Sequence, residues 1–322
     1  MYFNKNNNFF HGIMFHHFHD DKIQTKAQGS ISKDDFYKLI NFIGRKNILD
    51  ANIFLEKFKE NKLKENEVCL TFDDAIKCQI DVALPVLEDL KIKSFFFVYT
   101  SVFEGNPDNL EIFRYFRMNY FNSVDEFYIN FYKVLNTDLD EFFNKNEDVI
   151  KNRKIKSIFY SIEDIKFRLV RDKLLTKDEY EKNMSLMMKE KNFQPKKYYS
   201  HLFFDKKDLN QLNSLGHLIG LHSHNHPTLL ESLSYEEQKK EYVKCISIIS
   251  KILDKSQNEI KCMSHPSGSY NHNTLQILKE LGIELGFKQI MTIEPEKGMK
   301  KINNSFLEIA RQDHADIFKR MN

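Results

Sequence analysis

Glycine and proline are scarce. Ten and six of them in 322 residues exclude a collagen-like or low-complexity chain. Cysteine is scarcer still: Cys69, Cys78, Cys245 and Cys262 lie far apart, with no CxxC among them. Neither a zinc ribbon nor a redox pair is suggested. So few thiols in so long a chain form no disulfide framework, which fits a reducing compartment. An excess of one charge is also missing. Lys+Arg 48 against Asp+Glu 46 leaves +2, too little to hold nucleic acid or an anionic membrane. No apolar run approaches the roughly 18 residues of a membrane span. The opening stretch MYFNKNNNFFHGIMF has neither the basic nor the apolar part of a signal peptide. The reading is a soluble cytoplasmic protein.

What is present is a large apolar fraction, 41%, with 29 Phe and 14 Tyr. That excludes a disordered chain and supplies one large core or two modest ones. Short apolar runs alternate with helical patterns. Strands are expected at 12–16 (GIMFH), 67–72 (EVCLTF), 93–99, 217–222, 259–264, 283–287 and 306–311. Cys69 and Cys262 fall in such runs and read as small buried hydrophobes. Capping-box patterns open helices at Ser32-x-x-Asp35, Asp205-x-x-Asp208 and Ser234-x-x-Glu237. A further helix covers 79–90, with Pro85 as a local distortion. Another runs from about 273 to 281, with Gly282 at its end. Strand–helix alternation implies a parallel sheet with helices outside it, an α/β architecture.

Residues 104–200 differ. They are rich in Phe, Tyr, Lys and Asp and nearly free of glycine. Ser161-x-x-Asp164 and Thr176-x-x-Glu179 mark helices there. The chain therefore reads as a discontinuous α/β body, 1–103 with 201–322, carrying a helical insertion at 104–200. The lysine-rich pieces at 151–156 and 189–197 read as solvated faces, or as a basic groove for a phosphate-bearing substrate.

Polar clusters stand where the expected strands end: His16-His17-Phe18-His19-Asp20, Asp73-Asp74, His222 to His226, Ser264-His265-Pro266, and Arg311-Gln312-Asp313-His314. In α/β folds that edge of the sheet carries the active site. Adjacent carboxylates repel, and a cation relieves the repulsion. One Asp can then bind metal while its neighbour stays free as a base. The pair also suits a helix N-cap at Asp74. His222 and His226, four apart and closed by Pro227, suit one divalent ion, or two ordinary surface histidines. Asp74, His222 and His226 together would leave open positions for water on zinc or a similar first-row ion. The histidines at 16, 17 and 19 read as supporting residues more readily than as ligands. His265 and His314 are lone histidines.

These motifs resemble the polysaccharide deacetylases, the carbohydrate esterase family 4 or NodB-homology group. Thr71-Phe72-Asp73-Asp74 is similar to that family's TFDD motif. His222-Ser223-x-x-His226-Pro227 is similar to its H-[ST]-x-x-H motif. The resemblance covers about 12–105 and 201–314, and implies a distorted (β/α) barrel. It implies Asp73 as general base, with Asp74, His222 and His226 holding one divalent metal. Zinc comes first, with cobalt, nickel, manganese or iron as alternatives. The implied reaction is hydrolysis of an N-acyl amide, with His314 the best-placed acid for the leaving amine.

Three departures stand out. Ala75 replaces the glycine after the two aspartates, which is tolerable where the backbone has negative φ. Ser264 and Ser267 occupy the third motif, so the arginine that orients the base is missing there. Arg311 or His265 is the candidate replacement. The insertion lengthens the span between Asp74 and His222, and reads as a lid, a wall or an oligomer contact. The expected substrate is an N-acetylated amino sugar, as a nucleotide- or lipid-linked precursor of capsule or lipopolysaccharide. Alternatives are an N-formyl sugar, or a degenerate domain that binds sugar without cleaving it.

Overall fold

A computed structural model describes residues 9–135, 137–156 and 160–321. The first eight residues, part of the stretch read as lacking a leader, and 157–159 of the expected insertion lie outside the described residues.

Seven strands form one sheet: β1 (His11–Phe15), β2 (Val68–Asp73), β3 (Phe95–Val98), β4 (Leu218–Leu221), β5 (Cys262–Ser264), β6 (Leu285–Phe287) and β7 (Arg311–Asp313). Their order is β6-β5-β4-β3-β2-β1-β7. Every pairing is parallel, with Phe15 opposite Phe72 in the β1–β2 register. The runs are apolar throughout because both faces are covered. Leu70, Phe72, Phe96 and Val98 pack under the outer helices. Cys69, Phe95, Phe97, Leu285 and Phe287 form a separate cluster inside the curve of the sheet.

The expected strand at 306–311 is divided between the two sheet edges. Gly286 N donates to Phe306 O at 2.8 Å and Ile309 N to Gly286 O at 2.9 Å. Pairing with β1 begins only at Arg311. A Cβ on Gly286 would lie 2.8 Å from Leu307 Cα, so glycine permits this approach. The result is a nearly closed, distorted (β/α) barrel of the NodB type.

Outside the sheet run α1 (Lys33–Ile43) and α3 (Leu84–Asp89), whereas α2 (Ala51–Lys59) sets Ala51 and Phe54 against the inner cluster. The helical segment contributes α4 (Asn109–Asn119), α5 (Val124–Leu135), α6 (Asp140–Lys145), α7 (Glu147–Lys156), α8 (Ile162–Leu169), α9 (Lys177–Glu190) and α10 (Tyr199–Leu202). Then follow α11 (Lys206–Ser214), α12 (Tyr235–Leu253), α13 (His272–Glu280) and α14 (His314–Met321). Capping boxes close on α1, α9, α11 and α12 where the sequence places them. At α8 only half the box forms. Ser161 accepts from Asp164 N, but the Asp164 carboxylate takes the Tyr128 hydroxyl at 2.8 Å instead of returning the bond.

The helix expected over 79–90 begins as a π turn at Gln79–Ala83, with Leu84 N bonded to Gln79 O. Pro85, which has no N–H, sits in the first turn of α3. The sequence reading missed α2, which buries Ala51 and Phe54.

Helices α4, α5, α8 and α9 have their own core of aromatic and Met side chains, Phe116, Phe127, Phe131, Phe167 and Met184 among them. No helix among the described residues is long and apolar enough to cross a membrane.

Candidate active site

Asp73 is the last residue of β2 and points into the barrel, two positions after Thr71 on the same face. It is 1% exposed. Arg311, the first residue of β7, meets it through two bonds: Nη1 to Oδ1 at 2.8 Å and Nη2 to Oδ2 at 2.7 Å. Gly12 makes room for the arginine, since a Cβ there would stand 3.1 Å from Arg311 Cγ. Arg311 Nε donates to Lys288 O at 2.8 Å. Burial pushes the Asp73 carboxyl upward, but Arg311 and then His222 outweigh it, so the group lies below the ordinary carboxylate value.

Asp74 turns away from its neighbour because the backbone enters the left-handed region. Asp74 has φ 76 and Ala75 φ 52. The condition under which alanine is easily tolerated is therefore not met: Ala75 adopts the conformation that glycine takes freely, at a cost of about 1–2 kcal/mol. Among the described non-glycine residues, Ser223 (φ 64), His226 (φ 55) and Ser267 (φ 53) share this strain. These three lie in the strand-end motifs, where strain positions side chains, whereas Asn61, Lys91, Asn192, Asp254 and Asn303 adopt the same region elsewhere in the chain.

Asp74 Oδ1 lies 3.2 Å from His222 Nε2 and 3.3 Å from His226 Nε2. These atoms all fall within 4.8 Å of one another. His222 Nδ1 is 2.7 Å from Ser264 Oγ and 2.9 Å from Ser264 O. Ser264 Oγ donates to Asp73 Oδ1 at 3.1 Å. That pattern assigns the ring proton to Nδ1 and leaves the Nε2 lone pair facing Asp74. Asp74 Oδ1 accordingly has no hydrogen bond despite its close neighbours. Acceptors facing one another at this range need a cation between them. One carboxylate and two imidazoles suit a first-row divalent ion.

The other expected residues separate. His265 Nε2 bonds to Leu307 O at 2.9 Å, and its ring stacks on Tyr270 at 4.2 Å. Burial pushes its pKa down to about 3. It lines the cavity, but Arg311 is the residue that holds Asp73.

His314 does not reach the site, which corrects its expected place beside the leaving group. Its ring packs on Phe15, 5.6 Å between centroids, with Nε2 3.1 Å from Gly29 O and Nδ1 3.4 Å from Met14 O. Phe15 faces the helix layer, and His314 borders a second cavity that includes neither Asp73 nor Asp74.

His16 stands where His314 was expected. Its Nε2 lies 3.9 Å from Asp73 Oδ2 and 3.8 Å from Asp74 Oδ2. The register explains its place: β1 and β2 pair Phe15 with Phe72, so the next residue of each strand comes side by side. His17 is tied instead to Glu111 of α4 at 2.7 Å, and His19 to Ser30 at 2.9 Å.

The cavity over these groups has a volume of about 660 Å³. The barrel supplies its floor, and α4, α8 and the turn after α8 supply a wall that includes Arg114, Arg117, Arg168 and Arg171. Neither lysine-rich piece borders it.

A family model, polysaccharide deacetylase, matches residues 60–115 and 128–286. Among solved structures, the deacetylase PplD of Streptococcus pyogenes in complex with acetate is similar. It is 17% identical with a TM-score of 0.55, over 97% of this chain and 98% of that one. A de-N-acetylase from Aggregatibacter actinomycetemcomitans is 12% identical with a TM-score of 0.55, over 97% and 99%. IcaB from Ammonifex degensii is 11% identical with a TM-score of 0.52, over 94% and 91%. At these identities the likeness is one of fold. No curated protein matches the sequence.

Proposed function

The chain belongs to the polysaccharide deacetylase family, and on that premise we propose that it removes the N-acyl group, acetyl first, from an amino sugar. The observation that supports this most is the division of labour between Asp73 and Asp74. Adjacent in sequence, they face different partners, a guanidinium and two imidazoles.

Asp74, His222 and His226 would hold one divalent cation, zinc first. When bound, it polarises the acyl carbonyl and lowers the pKa of water. Asp73 takes the proton from the attacking water. Arg311 keeps it ionised and fixes its plane through the paired bonds. His16, beside both carboxylates and 23% exposed at its side chain, returns a proton to the departing amine nitrogen. Ser264 orients His222 and Asp73 together. The helical segment serves as the wall that selects the sugar.

The test is metal content of the purified chain alongside acetate release from N-acetylated amino sugars, with and without chelator. About one zinc per chain and chelator-sensitive acetate release support the reading. Formate release from N-formyl sugars in place of acetate would move the acyl group to formyl. A chain that takes up no zinc or cobalt and releases neither acid would overturn it.

A further inference from the structure

Three arginines in the wall of the cavity are incompletely partnered. Arg117 of α4 is 7% exposed, and no carboxylate among the described residues lies within 4.0 Å of it. Its Nη2 reaches Gln28 Oε1 only at 3.5 Å, its Nε has no partner, and its plane lies 5.4 Å from the Phe167 ring. Arg114 gives Nη1 to Glu111 at 3.0 Å and leaves Nη2 buried without a partner. Arg168 of α8 lies 3.6 Å from Asp164 Oδ1, too far to hydrogen-bond, with Nε unsatisfied and Cζ 4.0 Å over Tyr160. Glu111 is shared with His17, and Asp164 with Tyr128.

A buried guanidinium stays charged, because its pKa is too high to lose the proton. Burying it unpaired is costly. All three arginines border both the catalytic cavity and the smaller cavity beside it. The missing negative charge is thus best supplied from within the cavity. We propose that Arg114, Arg117 and Arg168 form a subsite for a phosphate group carried by the sugar substrate. A carboxylate would be satisfied by one arginine's two-pronged contact. Three guanidiniums that border one cavity, none of them fully paired within the chain, match the oxygens and the charge of nearly two on a phosphate ester. This inference rests on the sugar-deacetylase reading of the same cavity.

The experiment is calorimetric binding to the zinc-loaded full chain. The probes are N-acetylglucosamine, N-acetylglucosamine 1-phosphate and uridine diphosphate N-acetylglucosamine. At least one phosphorylated probe is expected to bind ten-fold or more tighter than the neutral sugar. The tighter of the two tells a monoester from a diphosphate linkage. Arg168→Gln, and separately Arg117→Gln, is expected to remove at least ten-fold of that affinity while zinc content stays at the parent value. Should burial make Arg117→Gln fold poorly, the more exposed Arg168→Gln still decides. Equal binding of neutral and phosphorylated sugars would overturn the subsite. So would a phosphate preference that survives in both variants, because the anion would then sit on the metal. Acetate release is read separately. Its absence from every sugar tells against the deacetylase reading, whereas the binding comparison still scores the arginines.

Discussion

The barrel buries its charge in pairs, and the helical segment buries some of its charge alone. Asp73 and Arg311 are each 1% exposed and joined by two short bonds. Arg117 is nearly as buried and meets no carboxylate among the described residues. The two regions line one cavity, the barrel its floor and the helical segment its wall. The difference teaches that they are completed by different things. At Asp73 the barrel closes its own electrostatics through Arg311, so the place of that carboxylate is set before any ligand arrives. The segment leaves donors open, which suits recognition better than chemistry.

The largest effect should come from the barrel. Asp73→Asn keeps the shape but cannot accept the water's proton. Turnover is expected to fall by about 10³-fold, within the usual range for a lost general base. Zinc content should stay near the parent value, whereas His226→Ala should lose both zinc and activity. Metal analysis and acetate release on the two variants separate these outcomes. Near-parent activity in Asp73→Asn would take the base away from Asp73.

Next comes the pair itself. Arg311→Met leaves Asp73 buried without its cation, with only the Ser264 hydroxyl still donating to it, which costs about 3–5 kcal/mol. A fall of that size in urea-unfolding free energy is expected. A loss under 1 kcal/mol would show that the barrel does not depend on the pair.

How far the sequence led differs between the regions for a physical reason. Strand ends and capping boxes are local patterns, so the positions of Asp73, Asp74, His222 and His226 could be read from neighbouring residues. Arg311 came into view only as a candidate, and His16 as a supporting residue. Their places depend on which strands pair and in what register, and that is not local. His314 misled because it follows an inward-facing strand yet opens α14, which carries its ring to the helix layer beside Phe15. The left-handed backbone at Ala75 gave no signal, since alanine rarely adopts it. In the helical segment, amphipathic spacing shows that a helix has a buried face. It does not show which arginine that face turns toward a cavity belonging to another part of the chain.

Acid should test the barrel selectively. Burial pushes His265 down to a pKa of about 3, and His11 and His217 to about 4. Each is neutral in the fold and takes up a proton on unfolding once the pH drops below about 6.5. Their contribution is therefore complete above that pH and shrinks as pH falls toward the folded values. For His265 the loss is about 1.4 kcal/mol at pH 5.5. His265→Gln can still donate to Leu307 O but takes up no proton. Unfolding free energy followed from pH 7 to 5 should fall less steeply in this variant, by about one proton's worth. Parallel slopes in parent and variant would mean that His265 is protonated in the folded barrel.

The smallest effect has the opposite sign and bears on the helical segment. Arg117→Met replaces an unpaired buried cation with an apolar chain of similar length, set against Phe167 and its aromatic neighbours. Where a buried charge lacks a partner, such a replacement removes a desolvation cost and leaves no orphan behind. Stability should rise by about 1 kcal/mol, a Tm gain of about 2 °C for a chain this long. The same substitution should weaken binding of a phosphorylated sugar, so stability and affinity would move in opposite directions. Arg311→Met gives no such trade, because it lowers stability and activity together. A lower Tm in Arg117→Met would mean that the guanidinium is satisfied within the chain. The segment would then bury its charge as the barrel does, and the contrast between the two regions would disappear.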